Sequence, residues 1–194
     1  MTPTYEELLQ GTTTWRFQHK GVSYSLSHHG YREGKQYDDW YSEPHCGTWC
    51  YYIHVTEQMY PNSWEDFKNV ETEYGLTTGP AWDHVDFYGG ITWNSDEDFR
   101  DYKTKRIISC VKVGCDYNHS WDRDAGYWQG LEDVKRDAIK TIDGLLTRYP
   151  LERVRCGYSG HWVRPEEAYT AINGQTVAKV TELPEGYDSW KEDK

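Results

Sequence analysis

Residues Leu131–Arg148 read LEDVKRDAIKTIDGLLTR, and this stretch sets the fold class that the rest of the sequence must satisfy. Pro150 follows and cannot continue a helix, so we expect a helix that ends near Arg148. Apolar side chains recur along it at intervals of three and four, the spacing of one helix face: Leu131, Val134, Ala138, Ile142, Leu145 and Leu146. A helix with one apolar face requires a second apolar layer to pack against.

Three stretches before this helix predict strands that can supply that layer. Residues 47–55 are rich in Trp, Tyr, Ile and Val, which favours a buried central strand. Residues 105–114 contain a run of Ile and Val and predict a second buried strand. Residues 84–93 predict a third, although the paired glycines Gly89 and Gly90 weaken a strand unless something approaches its backbone closely.

Both ends of the chain contain the pattern of a β-hairpin. Near the start, Lys20 and Gly21 separate two alternating segments. Near the end, Asn173 and Gly174 form the dipeptide that best supplies the positive φ angles of a tight turn. The strands would be residues 13–19 and 22–28 in the first hairpin and residues 169–172 and 176–181 in the second.

The sequence also predicts a second main helix. Asn62 and Glu65 have the spacing of a capping box, apolar residues follow at helical intervals, and Gly75 can close a helix over residues 63–74. A short helix over residues 5–10 precedes the first hairpin. We therefore expect an α+β fold with a mixed or mostly antiparallel sheet packed with two main helices.

Composition limits where the protein acts and what it binds. The chain lacks a run of ~18 apolar residues and a secretory signal at its start, so we expect no membrane association. Five cysteines leave at least one unpaired, which favours reduced thiols in the cytoplasm. The net charge of -11 disfavours direct binding to nucleic acid. With no repeat or linker in the sequence, we expect one soluble cytoplasmic domain over residues 1–194.

Aromatic residues replace the usual aliphatic core. The chain contains 10 Trp and 17 Tyr, and rings with a polar tip need hydrogen-bond partners when they are buried. An acidic and aromatic surface can also engage a basic protein, or mimic nucleic acid and occupy its binding channel.

One acidic and imidazole cluster has the residue types of a reactive site. Residues 113–122 read VGCDYNHSWD, which places Asp116, His119 and Asp122 three residues apart where a buried strand ends. Carboxylate oxygen and imidazole nitrogen suit zinc, manganese or iron, and the same pair can transfer a proton. The structural alternative is that the two carboxylates cap local turns while His119 packs against a tyrosine.

A second polar patch lies earlier in the chain, at Asp83, His84 and Asp86, just before the glycine pair and Thr92. If residues 84–93 form a strand, His84 and Asp86 point to one face together with Tyr88. If that strand lies beside the one that ends at Gly114, both patches can meet in one pocket.

Soft metal ligands occur at His45, Cys46, Cys50 and His54. On a strand, three of these would share one face, but residues four apart lie roughly 13 Å from each other and cannot bind the same ion. A zinc site is therefore disfavoured here.

The segment YGGITW at residues 88–93, followed about twenty residues later by VGCDYNHSWD, resembles a family of small, mostly uncharacterised phage and prophage proteins. Family members carry a strand reading approximately H-G-G-L-T-[FY] and a strand end reading approximately G-F-D-C-A-H-x-G-D. The resemblance covers residues 46–149, flanked by a helix and β-ribbon over residues 1–45 and by a hairpin and frayed tail over residues 150–194. The matching positions are Gly89, Gly90, Thr92, Gly114, Asp116, His119 and Asp122.

The chain departs from the family pattern at Tyr88, where relatives have His, and at Trp121, where they have Gly. Tyrosine is a poorer metal ligand than histidine, which counts against a catalytic metal at this position. The resemblance implies a phage-encoded protein of the host-cell cytoplasm, and a role against host defence follows from that association alone.

Three functional hypotheses follow. In the first, an accessory protein captures a small polar, nucleotide-like ligand or a host protein. In the second, a metal-dependent hydrolase uses Asp116, His119 and Asp122 as ligands of a divalent metal and His84 as a general base. In the third, an acidic inhibitor mimics nucleic acid. The candidate catalytic residues are His84, Asp116 and His119, and the candidate ligand-binding residues are Asp86, Tyr88, Gly89, Gly90, Thr92, Trp121 and Asp122.

Overall fold

The computed structural model describes residues 12–29, 48–101, 105–117, 130–171 and 175–179. The main strands are β1 Thr12–His19, β2 Val22–His29, β3 Thr48–Thr56, β6 Trp93–Arg100 and β7 Ile107–Asp116. They form a mostly antiparallel sheet in the spatial order β1-β2-β3-β7-β6. The remaining elements are the single helical turn α1 Trp64–Phe67, the long helix α2 Leu131–Arg148 and six short strands: β4 Val70–Thr72, β5 Gly75–Thr77, β8 Val154–Arg155, β9 Trp162–Val163, β10 Ala168–Thr170 and β11 Thr176–Ala178.

The hairpin β1–β2 turns at Lys20 and Gly21, as the sequence predicts. Their φ angles are 47° and 87°, and two positive values in a two-residue loop are typical of the turn that matches strand twist. Pairing continues from His19 opposite Val22 to the far end of both strands. The hairpin therefore has a fixed register and presents alternate residues to each face of the sheet.

Helix α2 forms over the residues that its periodicity predicts. The Asp133 carboxylate accepts a hydrogen bond from the Gly130 N–H at 3.2 Å, which satisfies a donor at the helix start. Val134, Ala138 and Ile142 are fully buried. None of the helices within the described ranges is long and apolar enough to cross a membrane.

The chain forms two compact units that interleave along the sequence. The first unit comprises the described residues of Met1–His54, Val85–Asn94 and Val113–Gly144. The second comprises the described residues of Val55–His84, Ser95–Lys112 and Leu145–Lys194. The prediction of a single domain over residues 1–194 is not decided by this division, because β3, β6, β7 and α2 each contribute residues to both units.

The predicted second main helix, over residues 63–74, is wrong. Only the single turn α1 forms, because Lys68 adopts an extended backbone with φ −60° and ψ 141°. The next residues form the hairpin β4–β5, in which the Thr72 hydroxyl donates to the Gly75 carbonyl at 2.8 Å. A threonine hydroxyl that bonds local backbone competes with helix formation.

The predicted strand over residues 84–93 is also wrong for most of its length. Gly89 and Gly90 have φ angles of 65° and 96°, which strand geometry does not allow, and the Gly90 N–H donates to the Phe87 carbonyl in a turn. The strand in this region is β6, which begins at Trp93 and runs through acidic residues at the edge of the sheet.

Other expectations agree with the structure where it describes them. Residues 47–55 correspond to β3, which lies between β2 and β7, and residues 105–114 correspond to β7 with its bounds moved by two residues. Pairing of β10 with β11 confirms the late hairpin. The short helix over residues 5–10 and the turn at Asn173 and Gly174 lie outside the described residues.

Candidate functional site

Residues 88–93 and the described part of the second motif, residues 113–117, lie side by side in the first unit. The Thr92 N–H donates to the Gly114 carbonyl at 3.0 Å, and the Thr92 hydroxyl accepts the Asp116 N–H at 3.0 Å. Thr92 is thus bonded through both its backbone and its side chain to the end of β7. The structure brings Thr92 and Asp116 together without the strand that the sequence predicts for residues 84–93.

A stacked pair of tyrosines forms one wall of this region. The rings of Tyr88 and Tyr117 lie 4.3 Å apart between centroids and only 19° from parallel. Tyr88 is partly exposed, whereas Tyr117 is buried. Stacking fixes the plane of the Tyr88 ring, because the Tyr117 ring is itself held by a hydrogen bond at its hydroxyl.

The Tyr117 hydroxyl donates to the Asp137 carboxylate on α2 at 2.7 Å. Burial and then the adjacent Asp137 carboxylate raise the pKa of Tyr117 well above its ordinary value. The phenol therefore remains protonated at neutral pH and continues to donate this hydrogen bond.

A directional chain of three hydrogen bonds holds the loop that carries Tyr88. The Tyr88 N–H donates to the Tyr51 hydroxyl at 3.0 Å, and the Thr141 hydroxyl donates to the Asp86 carbonyl at 2.9 Å. Tyr51 and Thr141 also bond each other at 2.9 Å. Thr141 has one hydroxyl proton and gives it to Asp86, so Tyr51 must be the donor between them.

This chain attaches both ends of residues 86–88 to β3 and α2. Phe87, between those ends, stacks on the Tyr51 ring with an interplanar angle of 6°. Burial raises the pKa of Tyr51, so its proton is retained. The loop position thus depends on two side chains, Tyr51 and Thr141, that the sequence analysis did not assign to the site.

Gly114 allows β7 to lie against β3 beside this site. A Cβ atom at Gly114 would overlap the Tyr51 carbonyl oxygen and the Tyr52 ring. The Tyr52 ring packs edge-on against Trp93 at 5.1 Å. Glycine is therefore required at position 114 by close packing, whereas Gly90 has open space around it and is required by its positive φ.

The remaining predicted site residues have different outcomes. His84 and Asp86 are exposed, but His84 ends the short 3-10 helix Pro80–His84 and not a strand. The expectation that these two side chains share one strand face with Tyr88 is therefore wrong. Their roles as general base and ligand contact stay predictions.

The metal hypothesis rests largely on residues outside the described ranges. His119, Trp121 and Asp122 all lie there. Within the ranges that the structure describes, no group of three or more His, Cys, Asp or Glu side chains is arranged to hold a metal ion. A divalent metal bound by Asp116, His119 and Asp122 stays a prediction.

Four cysteines are buried and form no disulfide within the described residues: Cys50, Cys110, Cys115 and Cys156. Burial raises the pKa of Cys50 to about 11 and that of Cys110 and Cys115 to about 12. Thiols with such pKa values are protonated at neutral pH and are poor nucleophiles. His54, from the disfavoured zinc cluster, bonds the Ser25 hydroxyl through Nε2 at 2.8 Å.

A sequence signal for the missed residue Thr141 does exist. Thr141 lies on the buried side of α2 among Ala138, Ile142 and Leu145, and a hydroxyl in such a position must find a partner. Tyr51 carries a similar signal as a buried ring with a polar tip in a central strand. What the sequence does not give is that these two partners, separated by 90 residues, find each other.

Comparisons with protein-family models, curated proteins and solved structures find no significant match to this chain. The resemblance to phage and prophage proteins therefore stays an expectation that rests on the two motifs.

Proposed function

We propose that this protein binds a small polar ligand with a planar ring, of the nucleoside or nucleotide class, on the surface around Tyr88, the Gly89–Gly90 turn, Thr92 and Asp116. In keeping with the motif resemblance, the protein would be a phage-encoded accessory factor, and sequestering such a ligand would counter a host defence. The observation that carries the proposal is the Tyr88–Tyr117 stack, with Tyr88 partly exposed.

The stacked pair supports ring binding because a planar ligand can extend an existing stack. Aromatic rings prefer offset face-to-face or edge contacts, and each such contact contributes about 0.5–1.5 kcal/mol beyond its buried area. Tyr88 is held in one orientation by Tyr117 and by the bond from its own N–H to Tyr51. A fixed ring loses little conformational entropy on binding, which favours affinity.

The charges of the region suggest which ring ligands bind best. Asp86, Asp116 and Asp137 all belong to this part of the first unit, and the whole chain carries a net charge of -11. Carboxylates can accept hydrogen bonds from the amino groups of a base or the hydroxyls of a ribose, but they repel phosphates. We therefore expect nucleosides and cyclic mononucleotides to bind more tightly than triphosphates.

The experiment is a thermal-shift and calorimetric titration with bases, nucleosides, cyclic mononucleotides and triphosphates. A ligand at about 100 times its dissociation constant adds about 2.7 kcal/mol to the free energy of unfolding. Tyr88→Ala should abolish the shift, whereas Tyr74→Ala should keep it, because Tyr74 is an exposed tyrosine of the second unit.

Two results would refute the proposal. One is a panel in which no compound raises the melting temperature of the wild-type protein. The other is binding that Tyr88→Ala leaves intact. A shift produced by zinc or manganese alone, and lost in Asp116→Asn, would instead favour the metal-dependent hydrolase.

A further inference from the structure

The hairpin β4–β5 of the second unit is unusual because none of its strand residues is buried. All six residues of Val70–Thr72 and Gly75–Thr77 are exposed. Two short strands alone are marginally stable in water. Hydrogen bonds within the hairpin therefore have to define its shape.

In addition to the backbone pairing of the two strands, two threonines supply side-chain bonds. The Thr72 hydroxyl donates to the Gly75 carbonyl and accepts the Tyr74 N–H at 3.2 Å, while the Thr77 hydroxyl donates to the Val70 carbonyl at 3.2 Å. Gly75 supplies the φ of +112° that the turn needs. The hairpin is thus preformed, with Tyr74 at its turn.

Apolar side chains project from this preformed hairpin into solvent. Tyr74 is 92% exposed, Val70 47% and Leu76 42%. Val70 lies opposite Thr77 and Leu76 opposite Glu71, so these two side chains point to opposite faces of the hairpin, and Tyr74 at the turn is the most exposed of the three. Tyrosine is also among the residues that most often dominate the binding energy of protein interfaces.

The charged residues of the hairpin are acidic, and the basic residue that precedes it, Lys68, is already paired with Glu65 at 3.1 Å. Glu71 and Glu73 belong to the hairpin itself, and neither forms an ion pair with a residue that the structure describes. Asn69 donates to the Asp96 carboxylate at 2.9 Å, which places acidic strand β6 next to the base of the hairpin. Asp96, Glu97 and Asp98 are all exposed on that strand.

We infer that the hairpin β4–β5 is a docking surface for a basic protein segment, with Tyr74 as its apolar anchor and Glu71 and Glu73 as its charged contacts. The occupant carries lysine or arginine beside an apolar or aromatic residue. This site is in the second unit and is independent of the proposed ligand site.

Charge decides among the possible occupants. A second copy of this chain would bring another acidic hairpin against the first, and the like charges would repel. Phosphate backbones and anionic membrane surfaces are repelled for the same reason. A basic protein segment is attracted, and its on-rate rises as the salt concentration falls.

The test uses a random dodecapeptide display library selected on the wild-type protein. We expect the enriched peptides to combine basic residues with an aromatic or aliphatic residue. For a synthetic peptide from this set, Tyr74→Ser should raise the dissociation constant about tenfold or more, because an anchor residue is lost. The double variant Glu71→Lys/Glu73→Lys should raise the dissociation constant about threefold to tenfold. Added salt should reduce the difference in affinity between this variant and the wild type.

Two control variants separate the surface from general effects. Ile107→Ser removes an exposed apolar side chain of the same unit outside the hairpin, and it should leave the dissociation constant unchanged. Glu132→Lys/Glu166→Lys changes the net charge by the same amount at exposed positions elsewhere, so it tests charge without the hairpin.

Three outcomes would overturn the inference: no peptide enriched over selection on Tyr74→Ser, enriched peptides that lack basic residues, or an equal loss of affinity in the two charge-reversal doubles. A concentration-dependent dimer that Tyr74→Ser dissociates would also overturn it, because the occupant would then be a second copy. Failure of the Tyr88 ligand experiment would not affect this result.

Discussion

The two units contain aromatic clusters of similar size that use their polar tips in different ways. In the second unit, the ring centroid of Phe67 lies 4.3–5.7 Å from those of Tyr60, Trp82 and Tyr149, and two of the polar tips bond backbone carbonyls of the cluster. Trp82 Nε1 donates to the Phe67 carbonyl and the Tyr60 hydroxyl to the Tyr149 carbonyl. Each bond ends within the cluster, so these rings form a closed core.

In the first unit, the hydroxyls of Tyr51 and Tyr117 bond other side chains, and the backbone N–H of Tyr88 connects its loop to Tyr51. Tyr117 bonds Asp137, and Tyr51 connects Thr141 to the backbone of residues 86–88. Removing one partner there leaves several groups unsatisfied, whereas in the second unit it affects one. We infer that the aromatic cluster of the second unit supplies stability, whereas the tyrosines of the first unit hold the loop of residues 86–88 in position.

The largest expected effect is in the closed cluster. Phe67→Ala removes a fully buried ring with three aromatic neighbours and should lower the free energy of unfolding by about 3–5 kcal/mol. Chemical denaturation measures this change. Phe99→Ala, in the same unit but 43% exposed, is the matched control and should cost far less. Similar costs for both variants would contradict the description of Phe67 as a core residue.

A smaller effect is expected at the two glycines where backbone approaches closely. Gly114→Ala would overlap the Tyr51 carbonyl and Tyr52 ring, and Gly79→Ala the carbonyls of Lys68 and Asp66. Each should cost about 1–3 kcal/mol because the added methyl overpacks its surroundings. Only Gly114→Ala should also change the fluorescence of Trp93, through Tyr52.

Gly144→Ala is the control for those two variants. Gly144 lies on α2 with nothing within 4 Å of an added Cβ. Alanine is the better helix former, so this change should stabilise the protein by about 0.5–1 kcal/mol. A loss of stability at position 144 as large as that at 114 would show that the close approach is not the cause.

The hydrogen-bond chain predicts coupling between distant positions. Tyr51→Phe and Thr141→Val should each cost about 1–3 kcal/mol, because each leaves buried polar groups without partners. Their effects should not add, since both break the same chain. Tyr60→Phe leaves only the Tyr149 carbonyl without its partner, so it should cost less, about 1 kcal/mol, and should add to Tyr51→Phe because these two share no partner. Double-mutant cycles by denaturation test this, and additivity of the 51/141 pair would refute a connected chain.

The smallest effect concerns pH. Hydrogen bonds from Lys20 and then His19 hold the pKa of Asp143 below its ordinary value of 3.8. A carboxylate with a lowered folded pKa contributes stability above the unfolded pKa and loses it as pH falls through the folded pKa. The side chain is 44% exposed, so solvent screening should keep this contribution below about 1 kcal/mol.

Asp143→Asn tests this contribution. The difference in unfolding free energy between wild type and variant should be present at neutral pH, should begin to fall near the ordinary value of 3.8, and should vanish only below the lowered pKa of the folded protein. A difference that does not change with pH would rule out the ionic contribution. Glu167→Gln provides the matched variant of the second unit, since Arg164 lowers the pKa of Glu167 in the same way and the Glu167 side chain is 45% exposed.

The elements that the sequence predicted correctly are those whose periodicity matches their burial. Helix α2 and strand β3 each have an apolar pattern that corresponds to one buried surface. Strand β6 escaped prediction because an edge strand with exposed charged residues has no apolar alternation. The prediction of a helix over residues 63–74 was wrong although the apolar residues have helical spacing, because Thr72 and Gly75 favour a turn.

For the site, local motifs were predictable and distant partners were not. The spaced motifs predicted site positions at Gly89, Gly90, Thr92 and Asp116. Thr92 does contact Asp116. The support from Tyr51 and Thr141 depends on how β3 and α2 pack, which no local pattern encodes. A sequence can thus indicate which loop matters without showing what holds it.

The buried cysteines give each unit its own natural reporters. Cys50 and Cys115 belong to the first unit, and Cys110 and Cys156 to the second. A protected thiol reacts with an alkylating reagent only when its surroundings open, so its labelling rate under native conditions measures the free energy of that opening. Mass spectrometry of each cysteine-containing peptide would therefore yield the opening energies of the two regions separately, in the unmodified protein and without any engineered probe.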